Sequence, residues 1–341
     1  MKKSALFLAF SCYLLSNSQL LTRLLAAARR HSTLLGVLTA YSCFRTLTRG
    51  ATSQLTPWGP RWLARLVALA MTKLLGTAGQ VPLKSVTYSE RGIDPRRQHM
   101  VAWHPHGAYT TMAFMHCGHH TVTGSPLTWY PGIAPVLFGV PIFREIALLL
   151  NARSVEARVL EQLLAAGRNV GVQPGGIPEQ CRADHRREIA VFAPRLGFVR
   201  QAMKYGACLL PAYIFGENQA YHTSDAGRAF AAASMRLLGM PLPLVTGRWG
   251  LPWLLPRPTD VHVVWGDPID AGSANASPSD AEVQAVFGRY VAELRRIFEK
   301  HAARCLPPEV AARGLQIEVR DPSPARKGNS AGGGADSRSR L

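Results

Sequence analysis

The sequence predicts an α/β domain, and three observations carry that expectation. Short apolar runs at 98–103, 169–173, 208–215 and 261–265 have strand length and end at Gly, Pro or polar turn residues. Between them lie longer stretches whose apolar residues recur at helical spacing. Chemistry-bearing residues then fall where strands end, at His104-Pro105-His106-Gly107 and at Pro174-Gly175-Gly176-Ile177-Pro178-Glu179. Strand ends are where α/β folds place their sites.

The chain has 341 residues with 47% hydrophobic content, enough for one large domain plus accessory segments. No Asp or Glu precedes Glu90, whereas eleven Lys and Arg do, so most of the net charge of +18 belongs to an N-terminal arm, 1–80. Residues 4–22 are uncharged and rich in Leu, Phe and Ala, near the ~20 residues that a span needs. Ser11, Ser16, Asn17, Ser18 and Gln19 weaken that run, and a signal peptide, an anchor, a marginal span and a transit peptide all stay open. The run 33–44 is too short to cross alone. The run 62–75 is interrupted by Arg65 and Lys73, which with Arg61 suit a helix lying in the headgroup plane. The plain alternative is an amphipathic helix packed on the domain. Successive apolar stretches with exclusively positive flanks favour a membrane over nucleic acid, for which no recognised module is present. Six cysteines without CxxC spacing read as free thiols of a reducing compartment.

The domain is expected over 81–317. Residues 98–103 form a strand leading into the histidines. An i, i+2 pair on extended backbone points both imidazoles to one side, and Gly107 permits a sharp turn or a close ligand approach. Residues 133–150 read as a loop, broken by Gly139 and Pro141, followed by a helix. Ser154 resembles an N-cap for a helix striped by Val155, Val159, Leu160, Leu163 and Leu164 and stopped at Gly167. The strand 169–173 delivers Gly175, Gly176 and Glu179. A helix over 197–205 closes at Gly206, and the strand 208–215 ends at Gly216-Glu217-Asn218. Ser277 reads as the cap of the last long helix, with Pro278 at its first position and an apolar face from Val283 to Phe298. Residues 318–341, rich in Ser, Gly, Ala and Arg, are expected to be disordered. His116, Cys117, His119 and His120 cluster, but their spacing matches no zinc pattern and Gly118 suggests a loop, so no metal is expected.

In order, His104-Pro105-His106-Gly107, Pro174 to Glu179, Arg195-Leu196-Gly197-Phe198-Val199-Arg200, and Pro211 to Asn218 resemble the type-2 diacylglycerol acyltransferase family. Gly247-Arg248-Trp249-Gly250 and Val264 to Ile269 extend the resemblance, which covers roughly 81–306. It implies transfer of an acyl group from acyl-CoA to the free hydroxyl of diacylglycerol at the endoplasmic reticulum membrane. It also implies a glycerophosphate-acyltransferase-like core, a central mostly parallel sheet flanked by helices behind a hydrophobic membrane-associated segment. Trp103 stands where the family usually has Tyr, and Leu196 where a basic residue is common; both leave the acceptor open. A transit-peptide reading of the arm would place the chain at a plastid membrane instead.

The chemistry follows from the residues as well. An alcohol attacking a thioester benefits from a general base, and histidine titrates near neutrality. His106 is the expected base, Glu179 its carboxylate partner and His104 an orienting neighbour, with the reverse assignment of the two histidines also open. Backbone N–H groups around Gly107, Gly175 and Gly176 are candidate oxyanion donors. Arg195 and Arg248 are candidates for CoA phosphates, and Glu217 and Asn218 for the substrate site, although each also fits a salt bridge or a turn. Glu179 alone also fits a helix cap. Acyl-CoA is a co-substrate and no further cofactor is expected; a homo-oligomer is compatible. The competing functions are the same transfer to monoacylglycerol, a fatty alcohol or a sterol, and an inactive scaffold that binds neutral lipid or acyl-CoA.

Overall fold

A computed structural model describes residues 32–125, 127–238, 241–250 and 255–320. The chain divides into two units at Ala51/Thr52. In the first, helix α1 spans Ser32–Leu47; the expected span at 4–22 lies outside the described residues. The second unit includes α2, Arg61–Thr77, which belongs to the stretch 1–80 read from the sequence as an arm. Among the described residues, no helix is long and apolar enough to cross a membrane.

Seven strands form the main sheet: β1 (Leu83–Thr87), β2 (His99–His104), β3 (Trp129–Ile133), β4 (Arg153–Ser154), β5 (Asn169–Val172), β7 (Cys208–Phe215) and β10 (Val261–Trp265). Their order is β1-β10-β7-β2-β5-β3-β4. From β7 to β4 every pairing is parallel, and only the β10–β7 pairing is antiparallel, so the sheet is mostly parallel, as expected. Between β5 and β10 lie β6 (Glu188–Phe192), paired in parallel with β11 (Leu315–Val319), and the short antiparallel pair β8 (His222–Thr223) and β9 (Val245–Thr246). The domain therefore continues past 317: Glu318 ion-pairs with Arg182, and the Arg320 N–H donates to the Phe192 carbonyl. Residues 321–341 lie outside the described residues.

The helices are α3 (Thr111–Thr123), α4 (Phe143–Leu149), α5 (Ala157–Ala165), α6 (Gly176–Gln180), α7 (Gly197–Tyr205), α8 (Asp225–Leu238), α9 (Asp280–Cys305) and α10 (Pro308–Ala311). They cover both faces of the sheet, and β2 shows why its sequence is apolar without alternation. Met100 and Ala102 belong to one core with Leu163, Phe192, Tyr290 and Leu294. Val101 and Trp103 belong to the other with Trp129, Trp265 and Cys117. A strand buried on both sides has no polar face to display.

Three local expectations are corrected. The cluster from His116 to His120 lies on helix α3, not in a loop: Gly118 packs there because Leu150 comes within 2.7 Å of where a Cβ would stand. His116 Nε2 accepts from Trp265 Nε1 at 3.1 Å, and burial pushes its pKa down to about 3, so it is a neutral core residue. Ser154 ends β4, and Glu156 is the N-cap of α5. The last long helix is capped by Ser279, not Ser277: Ser279 Oγ accepts from the Glu282 N–H while Glu282 accepts from the Ser279 N–H. The pair of serines two residues apart made either a plausible cap, and the Glu three residues after Ser279 completes the reciprocal box.

Replacing Ser279 with Ala removes one half of that box and should lower stability by about 1 kcal/mol. A shift of the denaturant midpoint at unchanged slope checks it.

Candidate active site

β2 and β5 are parallel neighbours, so the segments that follow them emerge on the same edge of the sheet. Met100 pairs with Val170 and Ala102 with Val172, which sets His104 and Gln173 at the two strand ends. From there the chain enters the His106-Gly107 turn on one side and α6 on the other.

Glu179 on α6 joins these segments. Its Oε1 accepts the His106 backbone N–H at 2.6 Å and lies 3.4 Å from His104 Nδ1, and its Oε2 accepts the Val191 N–H at 2.9 Å. The carboxylate is buried, at 2% exposure, yet both oxygens are satisfied. Gly175 exists to admit it: a Cβ there would stand 2.0 Å from Glu179 Oε2. Glu179 is thus neither free nor a simple helix cap.

The two imidazoles do not share one environment. The extended strand stops at His104, whose fully buried ring packs edge-on against Phe192 at 5.2 Å and near Tyr290 at 6.2 Å. Its Nε2 has no hydrogen-bond partner among the described residues. His106 is less buried, and its Nδ1 lies 3.2 Å from the Gly107 carbonyl and 3.1 Å from Thr110 Oγ1. A carbonyl only accepts, so Nδ1 carries the proton and Nε2 the lone pair. The expected carboxylate on the His106 ring is therefore corrected: the side-chain partner of the Glu179 carboxylate is His104, and its hold on His106 is through the backbone. Burial lowers the His106 pKa, against the nearby Glu179 charge, which raises it.

Thr110 and Gln173 were not anticipated. Thr110 Oγ1 is 2.7 Å from the His106 carbonyl and 2.5 Å from Gln173 Oε1, binding the His106 turn to the end of β5. A Thr four residues after His106 and a Gln just before Pro174 were the available signals.

Glu217 and Asn218, the candidates for the substrate site, are buried and bonded within the protein. Glu217 Oε2 accepts the N–H groups of Met112 at 3.0 Å and Ala113 at 3.3 Å, capping α3 from another strand end. Gly107, at φ +63°, leaves room for it, since a Cβ would stand 2.6 Å from Glu217 Cγ. Asn218 Nδ2 donates to Glu188 at 2.8 Å, beside Tyr213 Oη and Gln219 Nε2, also at 2.8 Å. Glu188 was missed as well; its only signal is a carboxylate heading a wholly apolar strand. Burial raises the pKa of Glu188 to about 7 and that of Glu217 to about 8.

The remaining candidates separate. Arg195 is exposed, three residues beyond the Phe192 ring that packs on His104. Arg248 is engaged internally, donating to the Gly79 carbonyl at 2.7 Å and lying 5.4 Å over the Trp249 ring. The Gly176 N–H donates to the Gln173 carbonyl, which removes it as an oxyanion donor. Among the described residues no cluster of His, Cys, Asp or Glu could hold a metal. The cysteines 43, 117, 181, 208 and 305 are free thiols.

Two outcomes are expected. Gly175→Ala should destabilise the domain severely, because backbone and a buried carboxylate would both have to shift; loss of the cooperative melt checks it. Glu217 holds its proton to about pH 8 when folded and to about 4.3 when unfolded. Its contribution is therefore complete at low pH and lost as pH rises through 8. Glu217→Gln keeps an acceptor oxygen for α3 and should flatten the fall in stability between pH 5 and 9, read by urea denaturation.

Comparison with known proteins finds relatives by sequence. A sequence model described as diacylglycerol acyltransferase matches residues 76–311. Diacylglycerol O-acyltransferase 2B of Umbelopsis ramanniana is 27% identical over 62% of this chain and 66% of its own length. Diacylglycerol O-acyltransferase 2 of Dictyostelium discoideum is 29% identical over 63% and 69%. Acyl-CoA wax alcohol acyltransferase 2 of Mus musculus is 31% identical over 65% and 71%. The chain thus spans about two thirds of the length of these relatives. Among solved structures, the 1-acyl-sn-glycerophosphate acyltransferase PlsC of Thermotoga maritima aligns with a TM-score of 0.39 at 19% identity, over 76% of this chain and 96% of that one, too distant to bear on the site. With the family's sequence model matched across the whole sheet and its histidine and glutamate turns, the chain belongs to the diacylglycerol acyltransferase family.

Proposed function

We propose that the chain is an acyl-CoA-dependent O-acyltransferase that esterifies the free hydroxyl of diacylglycerol to triacylglycerol, with His106 as general base. The observation that carries the assignment is the pair of contacts at His106 Nδ1, which leaves Nε2 as the basic nitrogen. His106 Nε2 takes the proton of the acceptor hydroxyl as its oxygen bonds to the thioester carbonyl carbon. The C–S bond then breaks, and the departing CoA thiolate recovers the proton from the imidazolium. Glu179 holds the His106 backbone in place and favours the transient positive charge. His104 fills the core beneath and holds Glu179.

The acceptor is the part of this reading with an alternative. Relatives named for diacylglycerol, for 2-acylglycerol and for wax alcohol acylation match over similar lengths. Monoacylglycerol and fatty alcohols are the second reading.

The same proposal places the enzyme on a membrane, that of the endoplasmic reticulum. α2 packs inward through the small residues Ala64 and Ala68, and turns Trp62, Leu66 and Leu69 outward, Trp62 at 68% exposure. These recur with Lys73 at i, i+4, i+7 and i+11, one helical line. Val136, Val140 and Ile142 are exposed just before α4, which packs beside α2. An apolar line with cationic and no acidic companions suits an anionic lipid surface.

Two experiments test these statements. Microsomes from yeast without neutral-lipid synthesis, expressing the full chain, should convert labelled acyl-CoA and diacylglycerol to triacylglycerol, and His106→Ala should lower the rate by about 10²- to 10⁴-fold. Label appearing only in wax ester or diacylglycerol would move the acceptor, and no ester with any acceptor would favour a lipid-binding scaffold. Replacing Trp62 and Leu66 together with Asp should reduce flotation with vesicles of zwitterionic and anionic phospholipid; unchanged flotation would remove α2 from the membrane face.

A further inference from the structure

The loop between α6 and β6 carries a concentration of charge that the proposed transfer chemistry leaves unused. Asp184, 2% exposed, meets three guanidinium groups: Arg186 in a two-pronged pair at 3.0 Å, Arg228 at 3.2 Å and Arg187 at 3.5 Å. Around them, Arg182 faces Glu318, Arg228 also faces Asp225, Arg313 donates to the Arg186 carbonyl, and Arg257 acts on His185. Six arginines thus stand against three carboxylates. The His185 and His222 rings lie 4.0 Å apart, and His185 is held down to about 4, first by burial and then by His222, with Arg186 and Arg257 adding to the effect.

Asp184, with Asp225 on Arg228, leaves the three guanidinium groups in excess of the carboxylates, so the local potential is positive. Arg186 and Arg187 side chains are 50% and 41% exposed, and Arg187 turns only its Nε to Asp184, at 3.5 Å. Asp184 orders these forks without saturating them, an arrangement suited to a tetrahedral oxyanion. The cluster is also near the reacting histidine. Ala108 and Arg228 line one small recess together with Gln180, Cys181 and Thr223, and Gln180 Nε2 donates to the Ala108 carbonyl at 2.7 Å. Ala108 is two residues from His106.

We infer that Arg186 and Arg187, ordered by Asp184, bind the phosphates at the nucleotide end of the acyl-CoA co-substrate. This rests on the proposed use of acyl-CoA, and it reassigns the phosphate contact from Arg248, which is engaged with Gly79. A long co-substrate needs an anchor on its nucleotide end so that its thioester end reaches the base in a limited set of poses.

The test is binding without turnover, using adenosine 3′,5′-bisphosphate on the purified full chain in detergent. Wild type should bind it and weaken as salt rises, and Arg187→Ala should bind at least tenfold more weakly at an unchanged melting temperature. Arg187→Glu should abolish binding, while Asp184 keeps Arg186 and Arg228. The KM for acyl-CoA should rise by the same factor in Arg187→Ala. Equal binding by wild type and Arg187→Ala overturns the inference, as does wild type binding the bisphosphate no better than adenosine. Loss of anionic-vesicle binding in Arg187→Ala with bisphosphate binding intact also overturns it, in favour of a lipid headgroup. Ester synthesis with an unaltered KM would leave the transferase reading standing and remove the phosphate site. Bisphosphate binding in a chain that makes no ester would do the reverse.

Discussion

The structure turns on burying one carboxylate without leaving it unpaired. Glu179 lies where three segments meet, and each oxygen takes a backbone N–H, from His106 and from Val191. A carboxylate left in that position without donors would cost several kcal/mol. The loop after β2 and the strand β6 are consequently held in a fixed relation to α6. The position of His106 follows from that relation, and Thr110 and the Gly107 carbonyl then set its ring.

A second buried carboxylate repeats the arrangement on the opposite side of the turn. Glu217 caps α3 and needs Gly107, much as Glu179 needs Gly175. The glycines of the two turns therefore serve internal side chains before any ligand. With Glu217 at the N-terminus of α3, the free N–H groups of Met112 and Ala113 are already satisfied within the protein.

Much of this was legible in the residues. α7 and its closing Gly206, β7 and β10 fall at the limits read from apolar runs and turn residues, because those signals are local. The meeting of the histidine and glutamate turns was legible too, given parallel neighbouring strands. What escaped depends on partners far along the chain. Asn218 looks like a turn residue until Glu188, thirty residues earlier, is seen to receive it. His104 and His106 look like an i, i+2 pair until the strand is seen to end at His104, after which alternation no longer applies. The helix over 111–123 was hidden by its histidines and Gly118, which read as loop until the apolar partners Leu150 and Trp265 explain them.

The Gly175–Glu179 contact also has an evolutionary consequence. Gly175 has ordinary helical backbone angles, φ −73° and ψ −30°, so it is the side chain four residues on that excludes a Cβ there, through its own Cβ at 2.6 Å as well as Oε2 at 2.0 Å. A shorter residue at position 179 would remove the clash with the carboxylate and leave the clash with Cβ. Glycine at 175 is thus demanded by almost any residue at 179, and a lineage that gave up the carboxylate would still be held to that glycine.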